Sequence, residues 1–228
     1  MTLLLLSVCQ FIPIVGPMVA IGYLTRRFAL KRSGSKAIDF KFDDFGEYLQ
    51  LGLWPILAYL TLSLIAMPLI ILSEIPIFMA MANLESDPND MGTFFGAMAL
   101  TYSLIIFISL LLLFFSSPIV LRSSLMKSYK AGFSLRFIFS FIKKVGFSYL
   151  LWLVVLSVLT LFASMLGLLA LFVGSIIVGT VAMFAGVHLL YQHYDLYLER
   201  GGEEIEIHPE VLKSATSVPP LPQTGGQV

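Results

Sequence analysis

Apolar residues fall in long runs separated by short polar stretches, and bilayer thickness is the ruler for them. Hydrocarbon about 30 Å thick takes roughly 20 residues of helix. Leu3 to Tyr23 is one run of that length, although Pro13, Gly16 and Pro17 interrupt it; Leu51 to Leu72 is a second and Phe94 to Val120 a third. The uncharged stretch Phe147 to Leu190 has 44 residues, about twice the bilayer thickness at 1.5 Å per residue. It must fold back once, and glycine puts the turn near Ser164 to Gly167. The pattern therefore predicts an all-α integral membrane protein of about five transmembrane helices. Residues 1–200 make one multi-pass domain. The first run leaves a choice open, because Ile12-Pro-Ile-Val-Gly-Pro17 also suits a broken or re-entrant segment. Such backbone is tolerated at membrane depth only where neighbouring helices cover it.

Between the runs the pattern changes period. Arg136, Ser140, Lys143 and Lys144 fall on one helical face, and Ile138, Phe141, Ile142 and Val145 on the other. That predicts an in-plane amphipathic helix with its apolar side in lipid and Arg136, Lys143 and Lys144 toward anionic headgroups. Asp44 and Glu47 stand at capping-box spacing, and Phe45, Tyr48, Leu49 and Gly52 share a face, so a second in-plane helix is expected to feed the Leu51 run. The two segments suggest a weak internal repeat at an offset of about 95 residues, Arg26 and Gly52 corresponding to Arg122 and Gly146. Glu74 reaches the far interface, and Ile75 to Leu84, with Pro76, is too short to span and reads as a surface flap. After Tyr191 the last helix runs into water, and Gly201 and Gly202 stop it. Residues 201–228 form a tail expected to lack structure, being rich in Pro, Ser, Thr and Gly beyond 208. Within it Leu221-Pro-Gln-Thr-Gly225 matches a sortase pentapeptide, but the hydrophobic stretch that signal needs does not come after it.

Composition removes whole classes. Of 228 residues, 58% are hydrophobic and 12% charged, with a mean hydropathy of +0.91. A soluble domain carries about 25% charged residues, so a water-soluble enzyme and a nucleic-acid binder are both excluded. The single cysteine, Cys9, lies in an apolar run and forms no intrachain disulfide. Net charge is zero but sorted: Arg26, Arg27, Lys31, Arg32, Lys36 and Lys41 form one basic cluster, and Arg122, Lys127, Lys130, Arg136, Lys143 and Lys144 another. No Lys or Arg lies between Phe42 and Leu121, where Glu74, Glu85, Asp87 and Asp90 gather. Positive charge marks the cytoplasmic side. Five spans then put the N-terminus outside and the C-terminus in the cytoplasm.

Candidate chemistry is sparse. His188, Gln192, Asp195 and Glu199 share a helical face. A metal or proton site is one reading; the other is a face turned to the bundle and headgroups as the helix leaves the membrane, with Tyr191, Tyr194 and Tyr197 in an aromatic belt. Ser175, Gly179, Ala182 and Gly186 form a small-residue stripe suited to close helix packing, within the hairpin or against another subunit. Ser157, Thr160 and Ser164 form a small polar stripe. No catalytic constellation, metal set or cofactor motif emerges.

Two stretches carry a resemblance. Ile12-Pro-Ile-Val-Gly-Pro-Met-Val-Ala-Ile-Gly-Tyr23, then Arg26, Arg27 and the acidic-aromatic Phe42-Asp-Asp-Phe-Gly-Glu47, resembles the signature of a prokaryotic multi-pass family, domain of unknown function 4013. His188 to Tyr197 with Arg200-Gly-Gly202 is similar to the segment ending many such chains. The resemblance implies a bacterial or archaeal cytoplasmic (inner) membrane protein and brings no catalytic residues. The expectation is a non-enzymatic scaffold, assembly factor or accessory subunit, its partners the bilayer, anionic lipids and other membrane subunits or a second copy. The alternative is a channel or transporter for a neutral or apolar solute, for which only the Ser157 stripe and the His188 face supply polar lining.

Overall fold

A computed structural model of the protein describes residues 2–34, 39–86, 90–168 and 173–213. Among these the elements are all helical: α1 (Thr2–Cys9), α2 (Val15–Arg32), a 3-10 turn (Phe42–Asp44), α3 (Phe45–Ser73), α4 (Ile75–Ser86), α5 (Met91–Leu125), α6 (Tyr129–Gly132), α7 (Leu135–Leu168), α8 (Val173–Glu199) and α9 (Pro209–Lys213). Four stretches are long and apolar enough to cross a membrane: Phe42–Leu84, Met91–Leu125, Leu135–Leu168 and Gly174–Glu199. The chain is an all-α, multi-pass membrane protein.

The first apolar run is the exception, and it is broken into two helices. At eight residues α1 is only about 12 Å long. Pro13 and Pro17 remove backbone donors, and Ile14 reverses the chain at φ 70. Leu6 and Cys9 then bury in one cluster with Val19, Ala20, Tyr23 and Leu24, and Thr2 lines the same groove as Arg27 and Lys31. So α1 lies antiparallel beside α2 and begins at the basic end of the bundle, where α8 also ends. The first run is thus a helical hairpin rather than one continuous helix, with Thr2 and Lys31 together at the basic end.

The two basic segments are not separate in-plane helices. Each is the continuous start of a long one, α3 with 29 residues and α7 with 34. The apolar face expected in lipid is turned into protein: Phe137, Phe141 and Val145 bury with Leu121, Leu125, Tyr149, Tyr194 and Tyr197. Asp44 does not cap α3 with its side chain. It meets Arg26 at 3.2 Å instead, as Glu47 does at 3.0 Å. Arg26 is 4% exposed, and a buried guanidinium needs those carboxylates more than a helix end does.

Close packing between α2 and α3 depends on two glycines. A Cβ on Gly22 would collide with the Tyr48 carbonyl, and one on Gly52 with the Met18 carbonyl. The two contacts fix an antiparallel crossing of the kind small residues permit in membranes. The α7 helix runs to Leu168, past the turn expected at Ser164 to Gly167, and the reversal falls at 169–172, outside the described residues. Ile75 to Leu84 is a helix packed on α5 rather than a loose flap.

The helix end at Gly201 is as expected: Gly201 has φ 71, its N–H donates to Leu198 O, and that of Gly202 donates to Tyr197 O. The first part of the tail, however, is ordered. Ile205 and Val211 are buried, Ile205 N–H donates to Tyr194 Oη at 2.7 Å, and His208 N–H donates to Leu125 O at 2.9 Å. Arg32 pairs with Glu204 and Lys127 with Glu210. Residues 203–213 thus strap the basic end, held by apolar anchors spaced among the polar ones. The remainder of the tail, including the sortase-like pentapeptide, lies outside the described residues.

Candidate functional site

The centre of the bundle holds a cavity of about 720 Å³, within the usual range for ligand sites of roughly 300–1,000 Å³. Its walls come from α2 (Pro17, Ile21), α3 (Ile56, Tyr59), α5 (Leu113 to Val120), α7 (Tyr149 to Ser164) and α8 (Ala182 to Leu190). Most of the lining is aliphatic. Its polar groups are Tyr59, Ser116, Ser117, Tyr149 and a row on α7, Ser157, Thr160 and Ser164, the row spaced over about 10 Å of helix.

Those three hydroxyls, like those of Thr101 and Ser175, differ from most others in the bundle. A serine or threonine within a helix commonly donates to a carbonyl of the preceding turn. Thr61, Ser63, Ser103, Ser117 and Thr180 do so, at 2.6 to 3.0 Å. Ser157, Thr160 and Ser164 have no hydrogen-bond partner among the described residues and line the cavity instead. At the basic end of the cavity, Tyr149 Oη donates to Ser117 Oγ at 2.7 Å.

Beside Tyr149 stands His193, which sequence reasoning passes over. It is 5% exposed and meets the Tyr149 ring edge-on, centroids 5.1 Å apart. A carbonyl only accepts, so Nδ1 carries the proton to Leu189 O at 2.9 Å, and in the neutral ring Nε2 accepts from Ser148 Oγ at 3.3 Å. The pattern does hold a signal for it: His193 shares its face with Gly186, Leu190 and Tyr197 at helical spacing, an inward set.

His188 is on the other side. It is exposed, as are Gln192, Asp195 and Glu199, so the four do share a face, and that face points outward. Gln192 Nε2 donates to His188 Nε2 at 3.1 Å, and Asp195 lies 3.6 Å from Arg32. With Thr2, Arg27 and Lys31, the first three line a second recess of about 810 Å³ between α2 and α8; Glu199 does not. No group of three His, Cys, Asp or Glu residues able to hold a metal occurs among the described residues. Tyr191, Tyr194 and Tyr197 are buried, at 7%, 1% and 0% exposure, so the expected aromatic belt is a core. Their hydroxyls meet Thr25, the Ile205 amide and the Glu203 amide.

The remaining site residues separate. Arg136 and Lys143 are exposed. Lys144 faces protein: its Nζ donates to Arg200 O and Gly201 O at 2.7 and 2.5 Å, closing the end of α8. In the stripe expected to pack helices, Gly179 looks into open space, Gly186 comes no nearer than ordinary contact with Leu156, and Ala182 and Gly186 line the cavity. The close approach within the α7/α8 hairpin is made by Gly167 against Gly174 and Ser175.

No curated protein and no solved structure matches the chain. A family model described as "Protein of unknown function (DUF4013)" matches residues 5–191, from α1 through most of α8 and short of the strap. With that much of its length matched, and with the broken proline-glycine segment and the Arg26 anchor inside the match, the chain belongs to the DUF4013 family.

Proposed function

We propose that the protein is a non-catalytic carrier or holder of a neutral, largely apolar molecule, bound in the central cavity. The observation that carries this is the row Ser157, Thr160 and Ser164, without hydrogen-bond partners among the described residues, on one wall of a mostly apolar chamber. A hydroxyl in a membrane interior is worth about 0.6 to 2 kcal/mol when bonded, so three free donors suit a ligand that is mostly hydrocarbon with uncharged oxygens along one side. The test is mass spectrometry of what stays bound after mild solubilisation. Ser157→Ala/Thr160→Val/Ser164→Ala and, separately, the filling variant Gly186→Phe should each lose at least tenfold of the retained molecule while the bundle stays folded. Equal retention in all three proteins would remove the cavity as the site. Flux of the identified molecule in proteoliposomes then separates a transporter from a holder.

A second reading, scaffold or accessory subunit, is favoured by the far end. The stretch Phe42–Leu84 has 43 residues, about 64 Å of helix if straight against about 30 Å of hydrocarbon. Phe78 and Met79 there are 65% and 64% exposed. Another membrane subunit, or a second copy, would cover such a surface.

For orientation we place the basic end in the cytoplasm of a prokaryotic inner membrane, following the positive-inside rule. In a Cys9→Ala background, cysteines at Thr2 and Ser134 should resist an impermeant maleimide in intact cells and one at Thr93 should react. Reaction at Thr2 alongside Thr93 would restore a full first span.

A further inference from the structure

The recess between α2 and α8 is independent of the central cavity, and its charges set it apart. Three cations at the basic end are engaged by carboxylates: Arg26 with Asp44 and Glu47, Arg32 with Asp195 and Glu204, Lys127 with Glu210. Arg27 and Lys31 are not. Four residues apart on α2, they sit on one face, are exposed, and have no acidic partner among the described residues; Arg27 reaches only Tyr23 Oη, at 3.5 Å. Both line the recess. The helix α1 begins there too, at Thr2, and brings the positive end of its dipole.

Further in, the recess becomes apolar. Val181, Phe184, Ala185 and Val187 line it from α8, and Leu24 and Phe28 from α2. From Asp195 to Val181 is about 21 Å of helix, the depth of one leaflet of about 15 Å plus its headgroup region. With Asp195 at the mouth paired to Arg32, Arg27 and Lys31 leave it net cationic, and a cationic mouth over an apolar slot one leaflet deep has the polarity of a single lipid molecule. We propose that this recess holds one anionic phospholipid, its phosphate at Arg27 and Lys31 and one acyl chain along Phe184 and Val181.

The full-length protein, reconstituted in phosphatidylcholine bilayers with trace spin-labelled phosphatidylglycerol or spin-labelled phosphatidylcholine, reads this directly as the motionally restricted fraction of each label. The wild-type protein should favour phosphatidylglycerol. Arg27→Gln/Lys31→Gln should lower that preference by roughly thirtyfold, from two basic residues near the surface. Ala185→Trp, which keeps both cations and obstructs the slot, should lower it as well and keeps the test valid if the double variant fails to fold. Arg136→Gln/Lys143→Gln, which removes two other exposed cations, should leave it intact, as should Ser157→Ala/Thr160→Val/Ser164→Ala. Equal loss in the Arg136/Lys143 variant would mean diffuse surface charge and overturn the site. So would an unchanged preference in Ala185→Trp, or displacement of the restricted lipid by inorganic phosphate alone.

Discussion

The two ends of the bundle are built on different terms. At the basic end Tyr23, Tyr48, Tyr149, Tyr194, Tyr197, Phe137 and Phe141 are the largest fully buried side chains of the described residues. They meet edge-on, stacked or tilted at centroid distances of 5.5 to 6.2 Å, and their hydroxyls are tied to partners. Toward the other end Leu64, Phe162 and Leu166 are 68%, 62% and 69% exposed. Lipid solvates those side chains as well as a neighbouring helix would, so nothing drives them together. Where the chain leaves the hydrocarbon, water returns, and burial of aromatic surface again has a driving force. The fold is specified at one end and solvated at the other, and the cavity lies where the two regimes meet.

A large expected effect tests whether the basic end depends on backbone contact. Gly22→Ala inserts a Cβ into the Tyr48 carbonyl, which can move only if α2 separates from α3. It should cost about 3 kcal/mol, the upper part of the range for overpacking, or prevent folding, as read by thermal unfolding in detergent. Gly179→Ala, with nothing within 4 Å of the new atom, should be neutral or slightly stabilising, since alanine is the better helix former. A matched loss in both would mean that glycine is needed for flexibility, not for closeness.

The two histidines sharpen the contrast from the polar side. His193→Leu leaves Ser148 and Leu189 O without their partner in a buried layer and should cost about 2 kcal/mol. His188→Leu, on the exposed face, should shift stability by less than about 0.5 kcal/mol. The reverse order would return His188 to the interior. A smaller effect belongs to the strap: Tyr197→Phe removes the acceptor for Glu203 N–H at 3.0 Å and should cost about 1 kcal/mol, together with faster proteolysis after Arg200. An unchanged cleavage rate would separate the strap from the aromatic layer.

Legibility in the sequence divides the same way. The apolar runs announce long helices because hydrophobic length is a property of each segment alone, and two of the expected spans and both arms of the final hairpin are the four long stretches. The hairpin of α1 and α2 is a tertiary outcome: Ile12-Pro-Ile-Val-Gly-Pro17 marks the break, but only the cover supplied by Tyr23, Tyr48 and Phe184 decides that the chain turns back. The amphipathic faces of 45–52 and 136–145 are legible as faces. Their target is not, because one pattern fits a lipid surface or a neighbouring helix, and a strap that supplies Ile205 tips the balance. In the cavity, Ser157, Thr160 and Ser164 are visible from the sequence as a stripe; that they lack carbonyl partners is not.

The smallest expected effect bears hardest on the comparison. A buried phenylalanine truncated to alanine in a packed core costs about 3 to 5 kcal/mol, and Phe137→Ala, fully buried among Phe141, Tyr197 and the Arg122 guanidinium, should fall in that range. Phe162 is as large and as apolar but 62% exposed on α7. In a bilayer its ring meets lipid whether or not α7 is docked, so the truncation changes folded and separated states alike and should cost less than about 0.5 kcal/mol. In detergent the same reasoning holds as long as micelle chains coat the helix. A loss for Phe162→Ala approaching that for Phe137→Ala would mean that the far end is covered by protein rather than lipid, which would favour the subunit reading over the carrier.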